Sequence, residues 1–302
     1  MDPPPRTALA DGPDLQPRRR AVIPVPTDEE MERYLSGAYL YGDDFSPEQL
    51  VTWFSDEKEA CAELGYSERA VDEYAYHALN QRQAFRHLPP ERSYRHLLGL
   101  GSAYGPELEP LFPRVERITI VEASDQLSAA RPGPPPVSYT GAQANGNIAL
   151  DDNACDLVVC LGVLHHIANV SHVLSEVGRV TEPGGTFIVR EPIVSMQDWR
   201  TPRPGLTRRE RGIPLPLLRT MVLKAGFTIE HSSLCLHPLT SVGGQLMRRM
   251  FGLSILNHTL PVALDAALCR LQRGTPRYHG TSLLERLRPG AACLVCRRTE
   301  TT

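Results

Sequence analysis

Two adjacent histidines, His165 and His166, directly follow an apolar run, DLVVCLG, that predicts a buried strand. Histidine is the side chain that most often carries a proton during catalysis near neutral pH. A glutamate, Glu191, ends the next apolar run, GTFIVREP. Because neighbouring residues on a turn point in different directions, at most one histidine is expected to face a substrate. The alternative is that both histidines pack against, or cap, the helix that follows.

A glycine-containing turn is the second candidate site. In the segment HLLGLGSAYG, a predicted strand is followed by Gly101 and Gly105, which permit a ligand to approach the backbone closely. The NAD fingerprint GxGxxG, counted from Gly99, requires a glycine where Tyr104 stands. No GK[ST] sequence follows, which argues against a phosphate-binding P-loop. The turn therefore suits a nucleoside ligand without phosphates.

Glu122 is expected to bind the sugar of such a ligand. It ends the next predicted strand, RITIVEA, about 20 residues after Gly101, the spacing at which nucleotide-binding folds place an acid for the ribose. A carboxylate can accept two hydrogen bonds from a ribose diol. The alternative role is electrostatic, because a carboxylate also stabilises the N-terminus of a helix that follows it.

The elements that position these residues follow from the pattern after residue 94, where short apolar runs alternate with segments of helical periodicity. The central runs are apolar at nearly every position, which indicates strands buried on both faces. Such strands are typical of a parallel sheet with helices on each side. Ligands of these sheets bind at the carboxyl ends of the strands, where both candidate sites lie. The sequence therefore predicts an α/β fold.

The composition limits the class of protein. A chain of 302 residues, 41% of them hydrophobic, can bury a large core, and a net charge of −3 argues against nucleic-acid binding. Seven cysteines, an odd number in mostly apolar surroundings, indicate a reduced, cytoplasmic protein. Cys293 and Cys296 form a CxxC inside a strand-like pattern and are expected to be buried, not to bind zinc. No apolar run is long enough to span a bilayer.

The chain divides into five predicted segments: a disordered tail at 1–28, a helical lid at 29–90, a nucleotide-binding core at 91–236, a helical insertion at 237–289 and the last strand with a short tail at 290–302. The sequence SPEQ at Ser46 is a capping box that starts a helix in the second segment. The insertion is a lid or packing layer over the acceptor pocket, a dimer face or a membrane-surface element, and these alternatives remain open.

The segment DNACDLVVCLGVLHHIANVSHVLSEVGRVTEPGGTFIVREP, residues 152–192, resembles the class I S-adenosylmethionine-dependent methyltransferases. It matches the family's fourth strand, the following helix, the PGG turn and the fifth strand. The resemblance covers about residues 94–236 and the terminal strand. It implies a Rossmann-like fold, with a seven-stranded, mostly parallel sheet and helices on both faces, and S-adenosylmethionine as the cofactor.

The family's first motif, D/E-x-G-x-G-x-G, falls on the glycine-containing turn with two departures. Its acid, which helps to hold the methionyl amino group, is replaced by Gly99, so the contact is lost or is made by backbone carbonyls and water. Its middle glycine is Ala103, which implies a torsion that tolerates a Cβ. The family's adenine-binding acid is also absent, and Asn145 or a carbonyl replaces it. The implied cofactor-binding residues are Gly99, Gly101, Ser102, Gly105, Glu122, Ala123, Asn145, Leu161 and Gly162.

The same resemblance makes His166 the candidate general base, with Glu191 assisting it and His165 as a further candidate. No metal ligand is predicted. After the fifth strand, the arginine-rich segment WRTPRPGLTRRERGIP is expected to border the acceptor pocket. There Arg200, Arg203 and Arg208 would bind a phosphate or carboxylate, and Trp199 would stack on a ring. The alternative is a solvated loop.

Tyr39 and Tyr41 lie in an aromatic stretch with two glycines, YLSGAYLYGDDF, that is expected to fold over the ligand or to pack on the first helix. Together these residues predict an O-methyltransferase of a small polar or anionic acceptor, such as a sugar or a natural-product intermediate. The alternatives are an N- or C-methyltransferase and a non-catalytic cofactor-binding partner protein. The expected partners are a small-molecule substrate and a second copy in a homodimer, with no nucleic acid and no transmembrane segment.

Overall fold

The computed structural model describes residues 21–63, 74–124, 134–203, 205–252, 254–272 and 274–300. A seven-stranded sheet forms its centre, in the order β3-β2-β1-β4-β5-β7-β6. The strands are β1 (Leu97–Leu100), β2 (Ile118–Glu122), β3 (Val137–Gly141), β4 (Cys155–Leu161), β5 (Thr181–Pro192), β6 (Phe227–Cys235) and β7 (Ala291–Arg298). Strands β1 to β5 pair in parallel, and β7 runs antiparallel to both its neighbours. The predicted mostly parallel sheet is confirmed.

Helices surround the sheet. In the described residues they are α1 (Asp28–Leu35), α2 (Pro47–Glu63), α3 (His77–Gln83), α4 (Val170–Val180), α5 (Leu215–Lys224), α6 (Pro238–Phe251), α7 (Thr259–Arg270) and α8 (Leu283–Arg286). Short 3₁₀ helices cover Phe85–His87, Pro106–Arg114, Leu164–His166 and Ile255–Asn257. The short helix expected directly after β2 falls within residues 125–133, outside the described residues.

The core lies on both faces of the sheet, as the apolar runs predict. Along β4, Leu157 and Val159 belong to one hydrophobic cluster, whereas Val158 and Cys160 belong to the cluster on the opposite face. All four side chains are fully buried. Because successive side chains of a strand point to opposite faces, only a strand covered on both sides needs to be apolar at every position. Cys293 and Cys296 are likewise buried in β7, as expected.

Local sequence explains the start of α2 and the 3₁₀ conformation of the segment after β1. The capping box at the start of α2 is confirmed, because the backbone N–H of Ser46 donates to Gln49 Oε1 at 2.9 Å and the N–H of Gln49 donates to Ser46 Oγ at 3.4 Å. The helix expected at PELEPLF instead forms the 3₁₀ segment Pro106–Arg114. Pro110 and Pro113 lie inside it, and a proline cannot donate the backbone hydrogen bond that an α-helix requires.

The N-terminal part of the chain differs from the disordered tail that was predicted for residues 1–28. Residues 1–20, most of the predicted tail, lie outside the described residues. Residues 21–27 are packed and not disordered: Ile23 is buried and the hydroxyl of Tyr41 donates to the carbonyl of Pro24. The described part of the chain contains no helix that is both long and apolar enough to cross a membrane.

The insertion at 237–289 packs on the outer edge of the sheet. Val262 of α7 lies in one hydrophobic cluster with Cys235 of β6 and Leu79 of α3. The buried carboxylate of Asp265 accepts hydrogen bonds from the backbone N–H groups of Leu236 and His237. These contacts make α7 a packing layer, one of the alternatives considered for this segment.

Candidate functional site

A cavity of about 790 Å³ opens at the carboxyl ends of β1, β2 and β4. The turn after β1 forms one wall, the end of β2 and the turn after β4 form others, and α2 closes the cavity from the N-terminal side. This is the edge of a parallel sheet at which ligands bind, beside the point where the strand order reverses between β1 and β4. No described residue of the 237–289 insertion lines the cavity, so the expectation of a roof from that segment is not met.

The turn after β1 has the backbone geometry of a nucleoside-binding loop. Gly101 has a φ of +63°, and a Cβ there would lie only 2.5 Å from Val163 Cγ1, so the position requires glycine. Gly105 also has a positive φ, of +72°. Ala103 has a φ of +44°, in the left-handed region. The expectation of a torsion that tolerates a Cβ is therefore wrong, because the left-handed conformation costs an alanine about 1–2 kcal/mol.

Glu122 braces this turn and faces the cavity. Its Oε2 accepts a hydrogen bond from the backbone N–H of Ala103 at 3.0 Å, and its Oε1 accepts one from Ala123 at 2.8 Å. The side chain remains partly exposed in the cavity. The carboxylate is therefore fixed in place by the backbone while it retains lone pairs for a ligand.

Most of the predicted cofactor residues meet at this cavity: Gly101, Ser102, Glu122, Ala123, Leu161 and Gly162. Gly99, Gly105 and Asn145 do not line it. Gly99 lies beneath Ser102, and the Oδ1 of Asn145 accepts a hydrogen bond from its own loop, at the N–H of Asn147. Asn147 and Gly146 line the cavity in place of Asn145.

His165 and Glu191 form a buried pair at the turn after β4. Glu191 is fully buried at the end of β5, and its carboxylate accepts hydrogen bonds from the backbone N–H groups of Val163 and Leu164 at 2.8 Å. Its Oε2 lies 2.8 Å from His165 Nδ1. Glu191 thus holds the turn and its first histidine, and it does not assist His166 as the sequence analysis expected.

A second carboxylate lies on the other side of His165. Glu210 Oε1 lies 3.5 Å from His165 Nε2, and its Oε2 accepts a hydrogen bond from the N–H of Thr207 at 3.0 Å. Burial would lower the pKa of His165, but the hydrogen bonds to Glu191 and Glu210 outweigh it and raise the pKa to about 9. His165 is therefore protonated at neutral pH and cannot accept a proton as a general base would.

His166 has a different partner, Glu57 of α2. His166 Nδ1 lies 2.8 Å from Glu57 Oε2, and about a quarter of the His166 side chain, 24%, is exposed. Trp53, one turn earlier on α2, donates from its indole N–H to the His166 carbonyl at 2.6 Å. The histidine is therefore held at both its backbone and its ring, with its ring facing the cavity.

Glu57 is itself fixed by the arginine-rich segment after β5. Its Oε2 also accepts a hydrogen bond from the hydroxyl of Thr207 at 2.8 Å, and its Oε1 accepts one from the N–H of Arg209 at 2.9 Å. The side chain of Arg209 forms a salt bridge of 2.7 Å with Asp56. This segment therefore clamps α2 onto the turn that carries the histidines.

His165, His166 and Glu210 place their ligand atoms within 4.8 Å of one another, and these are residue types that bind divalent metals. No metal ligand is predicted from the sequence. In this structure both ring nitrogens of His165 face carboxylates, an arrangement that is satisfied by a proton on each nitrogen.

The predicted acceptor-binding residues are not brought to the cavity. Arg200 pairs with Asp198 and Asp28, Arg203 donates to the carbonyls of Met196 and Thr207, and Arg208 is exposed. Trp199 is buried and stacks on Tyr41, with ring centroids 5.4 Å apart. Tyr39 lies at the surface beneath Arg33. Trp199 and Tyr41 therefore pack the N-terminal segment onto the protein, which is the packing alternative considered for the tyrosines.

Among the cavity-lining residues that were not predicted from the sequence are Glu57, Glu107, Arg190 and Glu210. Glu107 directly follows the glycine-containing turn, and Arg190 directly precedes Glu191, so their positions beside known motifs were the available signal. Glu210 lies in the arginine-rich segment that was expected to border the pocket, so its position was a signal as well. Glu57 gave no such signal, because its partners lie on other elements.

Residues 98–189 match the family model described as a methyltransferase domain. A putative methyltransferase solved in complex with the Trm112 activator of Haloferax volcanii is 15% identical, with a TM-score of 0.52 over 83% of this chain and 98% of that one. The N-methyltransferase NodS of Bradyrhizobium japonicum, in complex with S-adenosylhomocysteine, is 13% identical, with a TM-score of 0.48 over 81% and 99%. The [4+2]-cyclase SpnF is 17% identical, with a TM-score of 0.48 over 93% and 100%. A search of curated proteins finds no match.

The domain match and the sheet order show a methyltransferase domain with a Rossmann-like fold, as the sequence predicted. S-adenosylmethionine is the cofactor, and the residues present fit it. The Gly101 turn admits a nucleoside, Glu122 presents a carboxylate, and the buried Nη1 of Arg190 has no hydrogen-bond partner among the described residues.

Proposed function

We propose that this methyltransferase acts on a hydroxyl group of a small polar acceptor and that His166 removes the hydroxyl proton. The observation that carries the proposal is the contact of 2.8 Å between His166 Nδ1 and Glu57 Oε2. A histidine whose Nδ1–H donates to a carboxylate keeps a lone pair on Nε2, the nitrogen that can accept a proton. His166 lines the cavity, so this lone pair is available to an acceptor.

In the proposed reaction, different residues of the chain bind the cofactor and move the proton. S-adenosylmethionine, when bound, supplies a methyl group on a positively charged sulfur. The Gly101 turn and Glu122 bind and orient the cofactor, which contributes by positioning the reacting groups. With the cofactor bound, His166 Nε2 would take the proton of the acceptor hydroxyl. The hydroxyl oxygen would gain the methyl group as the bond between methyl and sulfur breaks, and S-adenosylhomocysteine would be released. Glu57 stabilises the imidazolium that forms, because its carboxylate faces Nδ1.

The cavity supports a small acceptor. Its volume of about 790 Å³ lies in the range of small-molecule sites, ~300–1,000 Å³, and the cofactor shares it. Trp53, Phe54, Tyr74 and Tyr76 line it, and aromatic side chains suit the faces of a sugar or an aromatic ring. A sugar or a natural-product intermediate is therefore the proposed acceptor. The anionic acceptor of the sequence analysis loses its main support, because Arg200, Arg203 and Arg208 lie outside the cavity.

The test uses S-adenosylmethionine labelled with carbon-13 at its methyl group and a panel of nucleoside-diphosphate sugars and phenolic glycosides. The chemical shift of the transferred methyl carbon distinguishes oxygen from nitrogen and carbon acceptors. We expect an O-methyl product, and we expect His166→Ala to lower kcat by about 10²–10⁴-fold, the usual contribution of a general base. His258→Ala is the matched control, because His258 is exposed and lies outside the cavity.

An N- or C-methyl product formed by His166→Ala at the wild-type rate would refute the proposal, because an amine acceptor is already nucleophilic. A protein that binds S-adenosylhomocysteine and methylates no small molecule would instead support the partner-protein alternative.

A further inference from the structure

The site lacks an acid where the family's first motif places one, and in this structure neighbouring side chains fill the space beside Gly99. A Cβ on Gly99 would lie 2.7 Å from Ser102 Oγ and 2.9 Å from Leu108 Cδ1. Both contacts are closer than side chains tolerate, so the side chains of Ser102 and Leu108 occupy the space that an aspartate or glutamate would need. An ammonium group in the cofactor cleft must find a negative charge elsewhere.

Glu107 supplies a negative charge at this place. It lies in the first turn of the 3₁₀ helix Pro106–Arg114, directly after the glycine-containing turn, and lines the cavity. Only 8% of the residue is exposed, and its carboxyl group hydrogen-bonds to Ser102, the same side chain that fills the space over Gly99. Among the described residues, no Lys, Arg or His lies within 4.0 Å of its carboxylate. Glu107 is therefore a buried acid without a cationic partner.

Arg190 supplies the opposite charge in the same cavity. Only 7% of this residue is exposed, its guanidinium lies over the ring of Tyr76 at 4.6 Å, and its Nη1 has no hydrogen-bond partner within the described part of the chain. A buried guanidinium nitrogen without a partner costs free energy, so its native partner is expected to be a ligand. Glu107 and Arg190 sense each other's charge but do not form an ion pair.

We infer that Glu107 and Arg190 bind the two charged groups of the cofactor's amino-acid moiety. Glu107 accepts hydrogen bonds from the α-ammonium group, the role of the acid that is missing at Gly99, and Arg190 donates to the α-carboxylate. Two opposite charges that face one cavity unpaired match a zwitterion, which carries opposite charges on one carbon atom. This assignment rests on the proposed function only in requiring S-adenosylmethionine as the ligand.

The test is isothermal titration calorimetry with two ligands that share the nucleoside and differ in the amino acid. S-adenosylhomocysteine carries both charged groups, and 5′-methylthioadenosine carries neither. Loss of a charge-assisted hydrogen bond costs about 1.5–3 kcal/mol, so Glu107→Gln and Arg190→Met should each weaken S-adenosylhomocysteine binding roughly 10- to 100-fold. Binding of 5′-methylthioadenosine should change less than twofold. Glu109→Gln, an exposed glutamate of the same helix, is the matched control.

A second measurement is the number of protons that Glu107 releases when the ligand binds. Burial raises the pKa of Glu107 to about 7, and the charged or titratable groups that interact with it are Arg190, Glu122, Tyr74 and Cys160. An ammonium partner stabilises the carboxylate, so binding of S-adenosylhomocysteine near pH 6.5 should release a proton. Titrations in buffers of different ionisation enthalpy measure this release, and Glu107→Gln should abolish it.

The outcomes separate the two proposals. Unchanged affinity for S-adenosylhomocysteine in Glu107→Gln, or an equal loss for both ligands, overturns the assignment of Glu107, and the same results overturn that of Arg190. If wild-type protein binds neither ligand, the cofactor of the proposed function fails instead. Should a variant not fold, wild-type protein is titrated with S-adenosylhomocysteine lacking its amino group, and binding within threefold of the parent compound overturns the inference.

Discussion

Two neighbouring histidines have opposite chemical environments in this protein. His165 is buried between Glu191 and Glu210, whereas His166 has one carboxylate partner, Glu57, and faces the cavity. The sequence favours His166 over His165 only through a resemblance, and the structure adds a physical reason. A histidine that is already protonated cannot accept a proton, so the charge environment of His165 supports our proposal of His166 as the base.

The buried charge on His165 predicts a pH dependence of stability. Its pKa is raised from 6.5 to about 9 in the folded protein, so its contribution is complete below pH 6.5 and is lost as the pH rises through 9. The free energy of unfolding should fall between these values by an amount on the order of 1–3 kcal/mol. Urea unfolding from pH 6 to 10 measures it. A slope that is the same in His165→Gln would contradict this prediction.

At the scale of elements, the arginine-rich segment after β5 joins the N-terminal helices to the turn after β4. Arg211 is fully buried, and its guanidinium donates to the carbonyls of Tyr41, His165, Ile167 and Ala168 at 2.8–3.0 Å. The planar guanidinium can satisfy several carbonyls at once, which a lysine cannot do in the same geometry. One side chain thus fixes the N-terminal segment against the turn that carries His166.

Replacement of this arginine should therefore destabilise the protein more than its charge suggests. Arg211→Lys leaves buried carbonyls without donors and is expected to lower the free energy of unfolding by about 2–4 kcal/mol. Arg208→Lys is the matched control, because Arg208 is exposed in the same segment, and a change within ~0.5 kcal/mol is expected. Chemical denaturation of both variants measures the difference, and equal values would show that the four carbonyl contacts carry no net stability.

The strands were predictable because burial on both faces leaves a continuous apolar run, and the capping box was predictable because its contacts are local. The partner of His166 was not, because Glu57 lies 109 residues away and their contact depends on how α2 docks. The prediction that the arginine-rich segment binds the acceptor was wrong for a related reason. Its density of positive charge was visible, but the direction of each side chain depends on the path of the loop, which turned Arg211 inward and Arg208 outward.

For the whole molecule, the cavity between the sheet edge and α2 couples cofactor binding to folding. A ligand that binds only the folded state at 100 times its Kd adds about 2.7 kcal/mol to the free energy of unfolding. S-adenosylhomocysteine should therefore raise the Tm by roughly 5 °C, whereas NAD should not change it, because Tyr104 occupies the position of the third fingerprint glycine. Differential scanning fluorimetry measures both shifts. A larger shift with NAD would contradict the assigned cofactor.

Six cysteines of the described chain are buried: Cys155, Cys160, Cys235, Cys269, Cys293 and Cys296. Burial raises the pKa of Cys155 and of Cys293 to about 12, so almost none of either thiol is present as the reactive thiolate at neutral pH. The folded protein therefore protects these sulfur atoms from alkylating reagents. The rate at which each thiol is alkylated should then report how often its strand or helix unfolds.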